Sequence, residues 1–97
     1  MRNLNDMTAE DFADLEDTVF HITSLDPRIS LQLIEVKKLG SGERKGGAFS
    51  LLWQGPSEPV LTQATYCLSQ TAIGSHDMFL VPVAEKQAGI QYEAIFT

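Results

Sequence analysis

The sequence predicts a mainly β domain: a six-strand antiparallel meander forming a small barrel or sandwich, with a short N-terminal helix. Three observations carry this expectation. Apolar residues alternate with polar ones in six segments after residue 18. Turn-forming clusters separate those segments, among them Asp26-Pro27, the glycine-rich run 40–47, Gly55-Pro56-Ser57-Glu58-Pro59 and Gln87-Ala88-Gly89. Helix-start chemistry is convincing only before residue 18. With 97 residues, the chain has room for one core and is read as one domain over 1–97, a helical segment at 1–17 and a β domain at 18–97.

The helix begins at Thr8. Its hydroxyl and the Asp11 carboxylate form a capping box, and Met7 before the cap meets Phe12 as a hydrophobic staple. Phe12 and Leu15 share one face, while Glu10, Asp14 and Asp17 face water. So short a helix persists only when that apolar stripe packs on a larger body.

The strands follow in order. Residues 19–23 put Phe20 and Ile22 on one face with His21 between them, and the segment stops at Asp26-Pro27. In residues 30–39 the apolar phase slips, from Leu31 and Leu33 to Ile34 and Val36, which places a β-bulge near Leu33 and Ile34 or a strand buried on both faces. Residues 48–54 align Phe49, Leu51 and Trp53. Residues 61–69 align Tyr66 and Leu68. In residues 77–84, Met78 and Leu80 oppose Phe79, Val81 and Val83, and Pro82 marks an edge or an irregularity because it lacks an amide donor. Gln87-Ala88-Gly89 makes a hairpin into residues 90–96, with Ile90, Tyr92, Ala94 and Phe96 inward.

Charge narrows the partners. Thirteen acids against seven bases give a net charge of −6, which repels phosphate backbones and argues against nucleic-acid binding. No apolar run approaches the roughly 18 residues that span a bilayer, so no membrane partner is expected. The N-terminal residues lack the apolar stretch of a signal peptide, and Cys67 is the sole cysteine, so the expected location is cytoplasmic. The acids concentrate at Asp6, Glu10, Asp11, Asp14, Glu16 and Asp17, while Arg28, Lys37, Lys38, Arg44 and Lys45 form a basic stretch.

No constellation for catalysis emerges. His21, His76 and Cys67 lack the spacing of a local chelating set, so neither a metal nor a cofactor is expected. His76 and Asp77 are strand neighbours and point to opposite faces, a poor dyad. Cys67 has no adjacent base or helix N-terminus to activate it. The run Gly42-Glu43-Arg44-Lys45-Gly46-Gly47 departs from the phosphate-loop order and leads into a strand. The expectation is therefore a protein that is not an enzyme.

One set of motifs carries a resemblance. Phe49-Ser50-Leu51-Leu52-Trp53-Gln54-Gly55-Pro56, Gln63-Ala64-Thr65-Tyr66, Met78-Phe79-Leu80-Val81-Pro82-Val83 and Tyr92-Glu93-Ala94-Ile95-Phe96 occur in this order, after the opening Met7-Thr8-Ala9-Glu10-Asp11-Phe12. Together they resemble a family of small bacterial proteins classed as a domain of unknown function. The chain departs from that pattern at Cys67-Leu68-Ser69-Gln70, where a more charged strand end is expected. The resemblance implies an accessory role, because such proteins are often encoded beside tail-collar-like proteins related to phage fibres. It brings no catalytic residues.

Two functions follow as expectations. The first is a non-enzymatic interaction or accessory module associated with a tail-like or surface assembly. It would bind a protein partner or self-associate as a homo-oligomer through strand edges, the acidic helix and a surface made of Trp53, Lys37, Lys38, Arg44 and Lys45. The alternative is a small-molecule-binding β-barrel whose inward aromatics line a cavity.

Overall fold

The computed structural model describes residues 4–40 and 46–97. A 3₁₀ turn at Leu4–Asp6 leads into helix α1 (Ala9–Ala13). Six strands follow: β1 (Val19–Ile22), β2 (Ile29–Gly40), β3 (Ala48–Gln54), β4 (Ala64–Gln70), β5 (Gly74–Lys86) and β6 (Gly89–Phe96). All ladders are antiparallel, and the sheet closes on itself in the order β1-β2-β3-β6-β5-β4.

The alternation in the sequence sets what faces inward. Phe20, Ile22, Leu31, Leu33, Leu51, Trp53, Leu68, Leu80 and Tyr92 are buried in one continuous core. Fully burying each such side chain contributes about 1.5–3 kcal/mol. The phase slip in β2 is a true bulge, with the β2–β3 register shifting between Leu33 and Glu35. Pro82 marks an irregularity and not an edge, since the ring is closed and the β5–β6 register shifts between Pro82 and Ala84. Ile73 donates to the Gln70 carbonyl at 3.1 Å, so β5 starts at Gly74, earlier than the sequence predicts.

The ring consists of two three-strand meanders, β1–β3 and β4–β6, joined through β3–β6 and β1–β4. Pairing of β3 with β6 sets Trp53 opposite Tyr92, Leu51 opposite Ala94 and Phe49 opposite Phe96, so inward residues meet inward residues. Strands β3 and β4 consequently stand on opposite sides of the ring. Residues 55–63 cross one end of the barrel to connect them, and Pro56 and Pro59 within that stretch rule out a tight hairpin. Leu61 is buried under this crossing and its amide donates to the Tyr92 hydroxyl at 2.9 Å. Leu61 therefore belongs to the crossing, and β4 starts at Ala64.

Helix α1 covers the opposite end. Asp11 accepts the Thr8 amide at 2.8 Å, the reciprocal half of the expected capping box. Met7 and Phe12 are both fully buried, as a staple requires. The Phe12 ring lies 5.7 Å from Phe49 and 6.1 Å from Phe96, whose rings are 4.9 Å apart. This aromatic trio anchors the helix.

Candidate functional site

The basic stretch and Trp53 do not form one surface. Trp53 is fully buried, which corrects its placement on an interaction surface. It follows Phe49 and Leu51 in strand alternation, so it points into the barrel, where it packs edge-on to Phe20 at 5.6 Å. Its indole Nε1 has no hydrogen-bond partner among the described residues. The inward aromatics belong to the packed core cluster.

Lys37 and Lys38 are adjacent strand residues and so leave β2 on opposite sides. Lys37 stands opposite Ser50, which stands opposite Ile95, so all three share an outer row across β2, β3 and β6. Lys38 instead stands opposite the inward Phe49 and forms an ion pair with Glu10 of α1. That lysine holds the Glu10 carboxyl below its ordinary value, chiefly by side-chain hydrogen bonding. Both partners are well exposed, so the pair is weak and sensitive to salt. Arg44 and Lys45 lie outside the described residues.

The nucleophile and ligand candidates are dispersed. His21 Nδ1 is 3.1 Å from Ser30 Oγ on the outer face. His76 Nε2 donates to the Ile73 carbonyl at 2.7 Å. Cys67 is a free, half-buried thiol whose backbone amide donates to Ser24 Oγ at 3.1 Å. Among the described residues, no group of three or more His, Cys, Asp or Glu side chains converges as a metal site.

Two surface features stand out. On the outer face of β5 and β6, Phe79, Val83 and Ile95 are 51%, 48% and 58% exposed. Val81 stands opposite Glu93. The β5–β6 ladder starts at that pair, so Phe79 lies two residues before it on β5 and Ile95 two residues after it on β6, both exposed. Asp77 lies two residues from Phe79 along β5 and Glu93 two residues from Ile95 along β6, and Lys37 ends the outer row of Ile95.

The second feature is a groove of about 470 Å³ between the start of β2 and the crossing. Pro27, Arg28 and Ile29 line one side and Pro56, Glu58 and Pro59 the other. A smaller apolar hollow of about 210 Å³ adjoins it and shares Pro27, Ile29 and Pro59. Sequence reasoning missed the groove because its walls lie more than 20 residues apart and meet only through the crossing. The available signal was the doubled proline around Glu58, read there as a strand terminator.

With this geometry in place, comparison with known families gives a match over most of the chain. Residues 7–96 fit the model described as Domain of unknown function (DUF6916). No curated protein and no solved structure matches the chain.

Proposed function

This chain belongs to the DUF6916 family, a domain of unknown function, and we propose that it is a non-enzymatic interaction module that binds a protein through the outer face of β5 and β6. The observation carrying this reading is the exposure of three large apolar side chains, Phe79 and Val83 on β5 and Ile95 on β6. Large apolar side chains clustered on a sheet face and rimmed by charge are the usual anatomy of a protein contact. Closing the barrel removes nearly all of the strand edge, which favours contact through a face. Lys37, Asp77 and Glu93 supply the polar rim, and the remaining basic residues contribute through long-range charge.

The resemblance to small bacterial proteins encoded beside tail-collar-like proteins supports a finer reading. It makes the domain an accessory of a tail-like or surface assembly, produced in the reducing cytoplasm where Cys67 stays a free thiol. Both a second copy of the chain and an assembly protein are partners that such a face can take.

The test is native mass spectrometry and sedimentation velocity on protein purified gently from its host, with Phe79→Glu and Ile95→Glu beside the unaltered chain. The expected result is a defined dimer or a stoichiometric protein complex that both variants abolish while their melting temperatures stay close to the original. Lys37→Glu weakens the complex less, as a rim residue does. A monomer without any bound protein, or a complex indifferent to both apolar substitutions, refutes the reading.

A further inference from the structure

The β2–β3 ladder begins at Gln32 opposite Gln54, although β2 itself begins at Ile29. Residues 29–31 pair with β1 through Phe20–Leu31, His21–Ser30 and Ile22–Ile29, and with no other strand among the described residues. Their backbone direction can be read from Leu33. Its amide donates to the Thr18 carbonyl at 3.0 Å, and its carbonyl accepts the Asp17 amide at 2.7 Å. Leu33 therefore turns its backbone groups toward β1. Peptide direction alternates along a strand, so Leu31 and Ile29 do the same and Ser30 faces the other way.

Strand β3 has already left that side. The Gly55 amide donates to the Ile90 carbonyl of β6 at 2.8 Å, and the chain departs through Pro56 and Pro59. Ser30 thus presents an amide and a carbonyl on the wall of the groove, a short stretch of open edge in an otherwise closed barrel. Val19, Ile29, Pro56 and Pro59 supply apolar surface around it. Arg28 has the same strand parity as Ser30, and among the described residues neither Arg28 nor Glu58 on the facing wall makes an ion pair.

We propose that this groove binds an extended peptide segment of a partner protein as a strand added to β2. Main-chain pairing to Ser30 anchors the segment, and its apolar side chains rest on Val19, Pro56 and Pro59. Charge complementarity selects the segment: one carboxylate meets the unpaired Arg28, and Glu58 disfavours a second acid across the groove. In the ring β2 lies opposite β5, so this site is separate from the face formed by Phe79 and Ile95 and does not depend on it.

Amide exchange followed by NMR tests the edge directly. Ser30 should exchange rapidly in the free protein, while Leu31, bonded to β1, is protected. The binding test uses a displayed library of linear heptapeptides. Enrichment of alternating apolar sequences carrying a single acid is expected, and the best synthesised peptide should protect the Ser30 amide. Ser30→Pro removes the groove-facing donor without touching the bonds to β1, and should lower affinity about tenfold, as expected for a buried partner left unpaired. Ser30→Ala keeps that donor and should bind normally, Arg28→Glu should bind poorly, and Phe79→Glu should bind like the original. A protected Ser30 amide in the free protein, no peptide enrichment, or equal affinity for a folded Ser30→Pro variant overturns the proposal.

Discussion

Removing one oxygen from Tyr92 should destabilise the barrel more than removing one from Tyr66. The Tyr92 hydroxyl accepts the Leu61 amide at 2.9 Å within the buried crossing. In Tyr92→Phe that amide stays buried and loses its acceptor, which costs about 1–3 kcal/mol. For a domain of this size each kcal/mol moves the melting temperature by about 4–8 °C, so the expected drop is roughly 4–24 °C. Tyr66 offers a matched control, because its hydroxyl donates to the Thr62 carbonyl at 2.7 Å and Thr62 is exposed. Water can replace the donor lost in Tyr66→Phe, so its cost should stay near the net value of an ordinary hydrogen bond, about 0.5–1.5 kcal/mol. Thermal and urea unfolding, followed by the buried Trp53 fluorescence and by circular dichroism, measure both. Hydrogen exchange should show the Leu61 amide losing protection in Tyr92→Phe alone. If Tyr66→Phe is the more damaging change, or Leu61 stays protected in Tyr92→Phe, the hydroxyl does not latch the crossing.

Four further outcomes follow from the same structure. Phe12→Ala removes the ring that stands on Phe49 and Phe96 and should cost about 3–5 kcal/mol, measured by urea unfolding. Gly89→Ala places a Cβ 2.2 Å from the Gly55 carbonyl oxygen at a φ of +135°, so little folded protein should be recovered. Gly40→Ala, at a φ of +95° with open space around it, should fold and lose about 1 kcal/mol through backbone strain alone. Glu10→Gln tests the ion pair with Lys38. Because the Glu10 carboxyl is held below its ordinary value, the pair stabilises at neutral pH and is lost as pH falls through that lowered value. Melting curves of the original and Glu10→Gln proteins should differ slightly at neutral pH and low salt, then coincide in acid or in high salt.

The strands were legible because alternation is a local property. The slip between Leu33 and Ile34 revealed the bulge, and Pro82 revealed the register break in β5, whereas the shift between Lys38 and Gly40 left no such mark. Ring order was not legible, since alternation says which face is buried and not which strand is adjacent. Reading charge along the chain also joined Lys37 to Lys38, although the sheet sends one to an outer row and the other to Glu10. Trp53 was grouped with the surface lysines, yet the ladder with β6 carries it fully inside opposite Tyr92. The alternation of β5 separated Phe79 from Met78 and Leu80 without saying which face is inward, and that of β6 left Ile95 outside the inward set. Their exposure needed the closed ring, which shows Met78 and Leu80 buried and Phe79 outside.

Strand order also explains why the groove exists. A six-strand ring in chain order would join every neighbour by a short turn and would keep β2 covered along its length. Here the chain must cross from β3 to β4, and that crossing begins by drawing Gly55 toward β6 and away from β2. Gly55 has no side chain because a Cβ there would lie 2.8 Å from Leu31 and 3.0 Å from Tyr92. The crossing then buries Leu61 over the core and fixes it to Tyr92, which seals the barrel end. Sealing the end and uncovering Ser30 are thus two results of one chain path. Loosening the crossing through Tyr92→Phe should therefore weaken peptide binding at the groove even though Tyr92 does not line it, whereas Phe12→Ala acts at the other end and should change stability with far less effect on the groove.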